Sequence, residues 1–582
     1  MYSTTASTGD GPALVLLDPV ISRRDLLRFA ASGAAVWPFS GSLSNLADAA
    51  PHLLYNGIRL GSPWPPRFKY PDEHPVLPPY LQDPPALIPI DVGRQLLVDD
   101  FLIEETTLAR SWHAATYHPA SPVLRPETAW EELRDDFSSR NGRPPNPSAM
   151  VFSDGVFFDP KDRLFKMWYM AGYGAYTCLA VSNDGVAWRR PAFDVVPGSN
   201  IVSTATRDSS TVWLDLEATD PRQRFKMSGW YDHAVVLSTS PDGVHWSEIG
   251  KTGRAGDRST FFRNPFRKVW VFSIRADQYE NVLSGRYRHY WEDAEFSASR
   301  DWAGRAPVAW VKSDSQDFAR PGLAARSELY NLDCVAYESL VLGLFSVWRG
   351  ESPTREKINE ITLGFSRDGF HWHRPDRGTF IGVSEQEGSW NWANVQSAGG
   401  GCVIVGDRLH FYVSGRQGRP GTNDHGVCST GLATLRRDGF ASMDWIPDVR
   451  RTRRVPRAAV GALTTRPLTF TGGHLFVNAD ATGGELRVEV LDQAGNVIAP
   501  FTRDGCEPIS VDGTRLPVRW VKGSLSELAG TPIRFRFTLT RGRLFAFWVS
   551  PWPTGESRGF PAAGGPEFST STDARAPLRP AR

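Results

Sequence analysis

The stretch TPIRFRFTLT, residues 531–540, alternates apolar and polar side chains: Ile533, Phe535, Phe537 and Leu539 share one parity, Arg534, Arg536 and Thr538 the other. Successive side chains of an extended strand point to opposite faces, so this pattern predicts a strand with one face on a core and one in water. Further upstream the pattern changes to short apolar runs broken by Asp-Gly or Asp-Pro. VFSDGVFFDP, RLFKMWYM and YTCLAVSNDG follow one another from residue 151, and STVWLDLEATDP, QRFKMSGW and HAVVLSTSPDG repeat the order from residue 210. Runs of this length, rich in Val, Phe, Trp and Tyr and bounded by turn residues, predict short antiparallel strands.

The turns themselves repeat. SNDGVAW (182–188), SPDGVHW (240–246) and SRDGFHW (366–372) share Ser, Asp, Gly and Trp in register, and SRDW at 299 and RRDGF at 436 are degenerate copies. The steps between copies are 58, 59, 67 and 70 residues, and FKM recurs at Phe165–Met167 and Phe225–Met227 in the same register. Each unit holds enough apolar segments for one four-stranded sheet, and such sheets bury both faces only against their neighbours, in a closed ring. The predicted fold is therefore all-β: a five-bladed β-propeller over 94–455, followed by a β-sandwich over 465–550. A motif placed once per blade by symmetry is architectural: Ser and Asp cap the turn, Gly supplies its backbone angle and Trp packs between sheets.

Residues 51–93 form the next distinct segment. From Pro51 to Ile90 the chain carries 11 prolines, which excludes regular helix and predicts an extended linker or wrap. Before it, Ser22-Arg23-Arg24-Asp25-Leu26-Leu27-Arg28, an apolar run and a small-residue site at Ala47–Ala49 resemble a twin-arginine export signal, so 1–50 reads as an address and the protein as exported, to the periplasm or the exterior. That apolar run is too short to span a bilayer. Residues 551–582, rich in Pro and Gly, read as a flexible tail.

Charge narrows the partners. With 65 Lys+Arg against 64 Asp+Glu the formal charge is +1, which gives no electrostatic reason for a nucleic-acid partner. Five cysteines show neither CxxC nor zinc spacing, so they read as buried apolar residues, and no cofactor is implied, a structural cation being left open. The 21 Trp suit packed strands and also the apolar faces of sugar rings.

Function is expected where the repeats disagree, at the start of each unit's first strand. There the chain carries Asp154, Asp208, Asp257, Asp333 with Glu338 nearby, and in the fifth unit Asn394 to Gln396. Inner strands line a propeller's channel, so these carboxylates are expected to converge at one mouth. Glycoside hydrolysis needs such a set, one carboxyl protonated to assist the leaving oxygen and another ionised to attack or to activate water. The loop SEQEGSWNW (384–392), with Glu385, Glu387, Trp390 and Trp392, is expected to form a wall of the sugar site, with a packed blade connection as the equal alternative.

Five blades with inner-strand acids and a C-terminal sandwich resemble the furanosidase-type hydrolases of glycoside hydrolase family 32, over about residues 94 to 550. In that family a blade-one Asp is the nucleophile, an Arg-Asp pair in blade two stabilises the transition state, and a Glu followed by Cys is the acid/base. Thr206-Arg207-Asp208 resembles the second motif without its following Pro, Asn146-Pro147 with Asp154 loosely resembles the first, and Asp333-Cys334 with Glu338 stands where the third would be. The resemblance implies Asp154 as nucleophile or general base, Asp208 as modulator and sugar-hydroxyl acceptor with Arg207 beside it, Glu338 as general acid, and Asp257 and Asp333 in reserve. The partner implied is a carbohydrate. Two rivals stay open: a non-catalytic carbohydrate- or protein-binding propeller, and a sialidase-like enzyme, which would need six blades and an arginine triad.

GESRG at Gly555–Gly559 has a nucleophile-elbow spacing without its strand-to-helix context, and His371 and His373 flank Trp372 without a third metal ligand.

Overall fold

A computed structural model describes residues 52–68, 71–276, 285–446 and 460–574. The export signal lies outside the described residues. Five antiparallel sheets follow one another along the chain. The first three are four-stranded meanders: Ala149–Asp159 to Ile201–Ser203, Ser210–Leu214 to Ser247–Arg254, and Thr260–Asn264 to Val308–Lys312. The fourth is built from Glu328–Glu338, Leu340–Ser352 and Arg355–Ser366, and the fifth from Asn394–Ser397, Arg408–Arg416 and Cys428–Arg436. The first strands of successive sheets pack side by side, and that of the fifth returns to Ala149–Asp159, closing the ring of a propeller.

The outermost strand of the fifth sheet is Thr116–Tyr117, from the N-terminal side of the whole ring, paired with Ala433 and Thr434. A strand from the start of the ring thus clamps its last sheet and removes an exposed edge. The repeated turn does what its residues suggest. In the second sheet the Ser240 hydroxyl accepts from the Gly243 N–H (2.8 Å), and one oxygen of Asp242 accepts from Val244 (2.8 Å) and His245 (2.9 Å). The copies at Asp184 and Asp368 make the same bonds. Gly243 has φ +83°, and its carbonyl accepts from the buried Trp168 indole of the preceding sheet at 2.8 Å. A Cβ there would meet that ring at 2.5 Å, so the turn is also a blade-to-blade joint.

The sandwich starts earlier than the sequence predicts. Gln95–Leu96, Ile103–Thr106, Ala109–Trp112 and Ala441–Asp444, all assigned above to the propeller, pair with sandwich strands Arg543–Ser550 and Gly461–Thr465 or with one another, in the sheets that also hold His474–Asp480 and Arg534–Thr540. Alternation shows that such a strand has a buried face, and only pairing shows which sheet owns it. The proline-rich segment is a wrap: Leu54, Ile58, Leu60, Tyr80, Ile88 and Ile90 are buried in the sandwich core, and Ile88–Pro89 runs parallel to Leu468–Thr469. Nor is the tail loose as far as Ala574. Phe560–Pro561 pairs with Tyr337 and Glu338, and Ala563 and Phe568 enter the propeller core. All five cysteines are buried and free.

Candidate functional site

The inner strand of the first blade breaks its ladder where the chemistry sits. Met150 pairs with Met170 and Gly155 with Trp168, so residues 151–154 oppose the single Tyr169 and bulge out. A bulge re-aims side chains that a regular strand would place by parity. Ser153 takes φ +64°, and Gly155 takes φ +139° with Val212 O 2.8 Å from where a Cβ would stand.

The bulge gathers residues from other blades. Both oxygens of Asp154 accept from Arg207, at 2.6 and 2.8 Å, and Arg207 also donates to the Thr177 hydroxyl at 3.0 Å. Ser153 Oγ accepts from Arg258 of blade three and from Asn331 of blade four, each at 3.0 Å. Blades three and four are not neighbours of blade one, so these side chains cross the axis. Asn331 also donates to Asp333 at 2.8 Å, and the Ser397 hydroxyl of blade five donates to the same carboxylate. Asp154 and Asp333 are thus linked through Ser153 and Asn331. Asp208 follows Arg207, is half-buried, and acts on Arg258 and Arg275 electrostatically.

Burial raises the pKa of Asp154 against the pull of Arg207. Burial likewise lifts Asp333 to about 6, with Ser397, Arg258, Arg288 and Asn331 opposing it. A residue that the sequence reading did not single out joins them. Tyr330 lies at a bulge between Leu329 and Asn331, and burial works against its ionisation, yet Lys357, Arg416, Arg258 and Arg286 outweigh it and bring the phenol to about 8. Arg286 and Lys357 sit 5.2 and 5.6 Å from the centre of its ring. Arg258 stacks 3.6 Å over Phe152, and Arg416 lies 5.3 Å from the same ring while pairing with Glu356 at 2.5 Å. A single adjacent signal was legible: Arg258 follows Asp257 at the start of the third inner strand.

Other expected site residues lie elsewhere. Glu338 is five residues beyond Asp333 on one strand, about 16 Å along it at ordinary strand rise. There it is 1% exposed, 3.5 Å from Arg94 and 3.1 Å from Arg437, and accepts from the Ser557 hydroxyl at 2.6 Å. It joins propeller to sandwich, away from the acids at the axis, so it does not meet Asp154 and Asp208 as a general acid would. Ser557 of the GESRG motif is its hydrogen-bond donor. Asp257 is half-buried at the rim and ion-paired with Arg275.

The 384–392 loop is a packed connection. Trp390 covers Gly415 and Gly431, whose Cβ atoms would each fall 2.1 Å from its ring, and stacks edge-on with Tyr117. Trp392 lies under Arg355, Glu385 pairs with Arg320 (2.6 Å) and Arg355 (3.3 Å), and Glu387 is exposed. Asn394 and Gln396 are both fully buried on the fifth inner strand, where Gln396 donates to Asn394 at 2.7 Å and Asn394 donates to the Lys357 carbonyl at 2.9 Å. His371 is held by the turn residue Asp368 at 2.6 Å.

No protein-family model matches the sequence, and no curated protein is similar to it. Among solved structures, the chain is similar to an exo-β-1,3-galactanase from Phanerochaete chrysosporium at 11% identity, over 75% of this chain and 99% of that one, with a TM-score of 0.31. A fructofuranosidase from Schwanniomyces occidentalis aligns at 12% identity over 72% and 98%, TM-score 0.30. An N-acetylgalactosamine deacetylase from F. plautii aligns at 14% over 55% and 97%, TM-score 0.35. One architecture hosts many chemistries, so what this channel does is read from its own side chains.

Proposed function

We propose that the protein is a glycoside hydrolase working at the end of the propeller axis where Asp154, Asp208, Tyr330 and Asp333 gather. The observation that carries this reading is the convergence of acids from three blades with a phenol whose pKa lies within about a unit of neutrality. Hydrolysis of an acetal needs a proton for the leaving oxygen and a carboxylate for the sugar carbon or its water. Tyr330, mostly protonated at pH 7 and readily dissociated, is the proton-transfer group of this reading. Asp208, half-exposed, is the reacting carboxylate. Asp154 cannot be: both its oxygens are taken by Arg207, so it serves to hold that arginine and set the charge beside Asp208. The roles implied for Asp154 and Asp208 by family resemblance are therefore exchanged.

The test is turnover on a panel of fructosides, arabinosides, galactosides and their uronic-acid counterparts, with binding followed in parallel. Asp208→Asn and Tyr330→Phe are expected to lose turnover by about a hundredfold or more while still binding. Unchanged turnover in both variants would refute the assignment. Binding with no turnover by the wild type on any panel member would make the propeller a lectin. We also propose export by the twin-arginine-type segment Ser22–Arg28, which supports a substrate outside the cytoplasm. Replacing Arg23 and Arg24 by Lys should retain the chain in the cytoplasm. Among the described residues no helix is long and apolar enough to cross a membrane.

A further inference from the structure

Buried guanidinium groups in this chain are matched by carboxylates almost wherever they occur. Arg94 faces Glu338 and Asp438, Arg207 faces Asp154, Arg367 faces Asp99, and Arg416 faces Glu356. Arg288 instead gives its two Nη groups to the Arg258 and Tyr330 carbonyls, and Arg258 has neither carboxylate nor carbonyl. It is 1% exposed, spends Nη2 on a neutral hydroxyl, and leaves Nε and Nη1 buried without a hydrogen-bond partner among the described residues. It stacks on the Phe152 ring, which fixes the plane of the guanidinium. Half-buried Lys357 also has no described carboxylate within ion-pair distance and stands beside Tyr330, on which Arg258 acts too. Arg286 flanks the same ring and is paired with Glu328.

From this surplus we propose that the channel takes an anionic sugar, one bearing a carboxylate or a sulfate ester, whose charged group is held by Arg258 and Lys357. This rests on the glycoside hydrolase reading of the same site and names its substrate class. A buried guanidinium with idle N–H donors is costly, and an oxyanion delivered by the ligand supplies their acceptors. The lowered pKa of Tyr330 reports the same excess of positive field. A neutral sugar would leave it uncompensated, which gives the site a means of rejecting neutral glycans.

The experiment is calorimetric titration of the full chain with three oligosaccharides of one length: a galacturonide, a sulfated galactoside and the neutral galactoside. At least one anionic ligand is expected to bind about tenfold or more tightly than the neutral one, with affinity falling as salt is added. The arm that binds better names the group as carboxylate or sulfate. Lys357→Gln, a half-exposed change that keeps the fold, should abolish most of the preference, and Arg258→Gln should do so where it folds. Equal binding of all three, or a preference unchanged in Lys357→Gln, overturns the inference. Turnover of the neutral galactoside with no anionic preference would leave the hydrolase reading intact and sink this one. Lysine-dependent anion binding without turnover of any ligand would do the reverse.

Discussion

Replacing Glu338 by alanine removes the centre of a buried charge network. Its carboxylate accepts from the Ser557 hydroxyl at 2.6 Å and the Arg94 N–H at 3.1 Å, and it faces the Arg437 guanidinium at 3.1 Å. Breaking a buried pair from one side leaves the other charge uncompensated, at about 3 to 5 kcal/mol. Here part of the loss is covered. Arg94 keeps Asp438 at 2.9 Å and the Thr514 carbonyl at 2.7 Å, while Arg437 keeps Asp573 at 3.8 Å and the field of Asp438. The low end, about 3 kcal/mol, is therefore expected. Denaturant unfolding of wild type and variant reads it directly, provided the slope is unchanged. Turnover per folded molecule on whatever glycoside the wild type accepts should stay within about twofold, since Glu338 lies about 16 Å along its strand from Asp333. A loss under about 1 kcal/mol, the range of an exposed pair, would refute the structural role. A folded variant without activity would restore Glu338 as the general acid.

Three further outcomes are expected. Of 15 tyrosines, one should ionise near pH 8 by phenolate absorbance, and Tyr330→Phe should erase that transition alone. Asp333, lifted to about 6 by burial, favours its protonated form in the fold, so its contribution is full below the unfolded value near 4 and is lost as pH rises to 6. Asp333→Asn, which keeps an acceptor for Ser397 and Asn331, should stabilise the protein at pH 7 relative to pH 4 by about 3 kcal/mol compared with wild type; parallel pH curves would contradict this. Gly431→Ala, whose methyl would stand 2.1 Å from the Trp390 ring, should cost about 1 to 3 kcal/mol in chemical unfolding, and no loss would mean that Trp390 is free to move as a sugar platform.

The local sequence settled much by itself. Alternation at Ile533–Leu539, the apolar runs and the Ser-Asp-Gly turns depend on neighbours a few residues apart, so strands, turns and the all-β class were legible, as was the placing of Asp154 and Asp333 on inner strands and of Asp208 just before one. What sequence order could not decide was pairing across hundreds of residues: Thr116 with Thr434, Leu96 with Ala546, Glu338 with Phe560. Those pairings moved residues 95–112 into the sandwich and turned the tail into a docked segment. The site was half legible for the same reason. Bulges at 151–154 and Tyr330 break the two-residue parity that a reader counts by, so regular alternation does not announce Tyr330. Arg258, Lys357 and Arg416 carry chemistry only because the closed ring sets them around one phenol, and a charge acquires its meaning from the partners that tertiary structure grants or withholds.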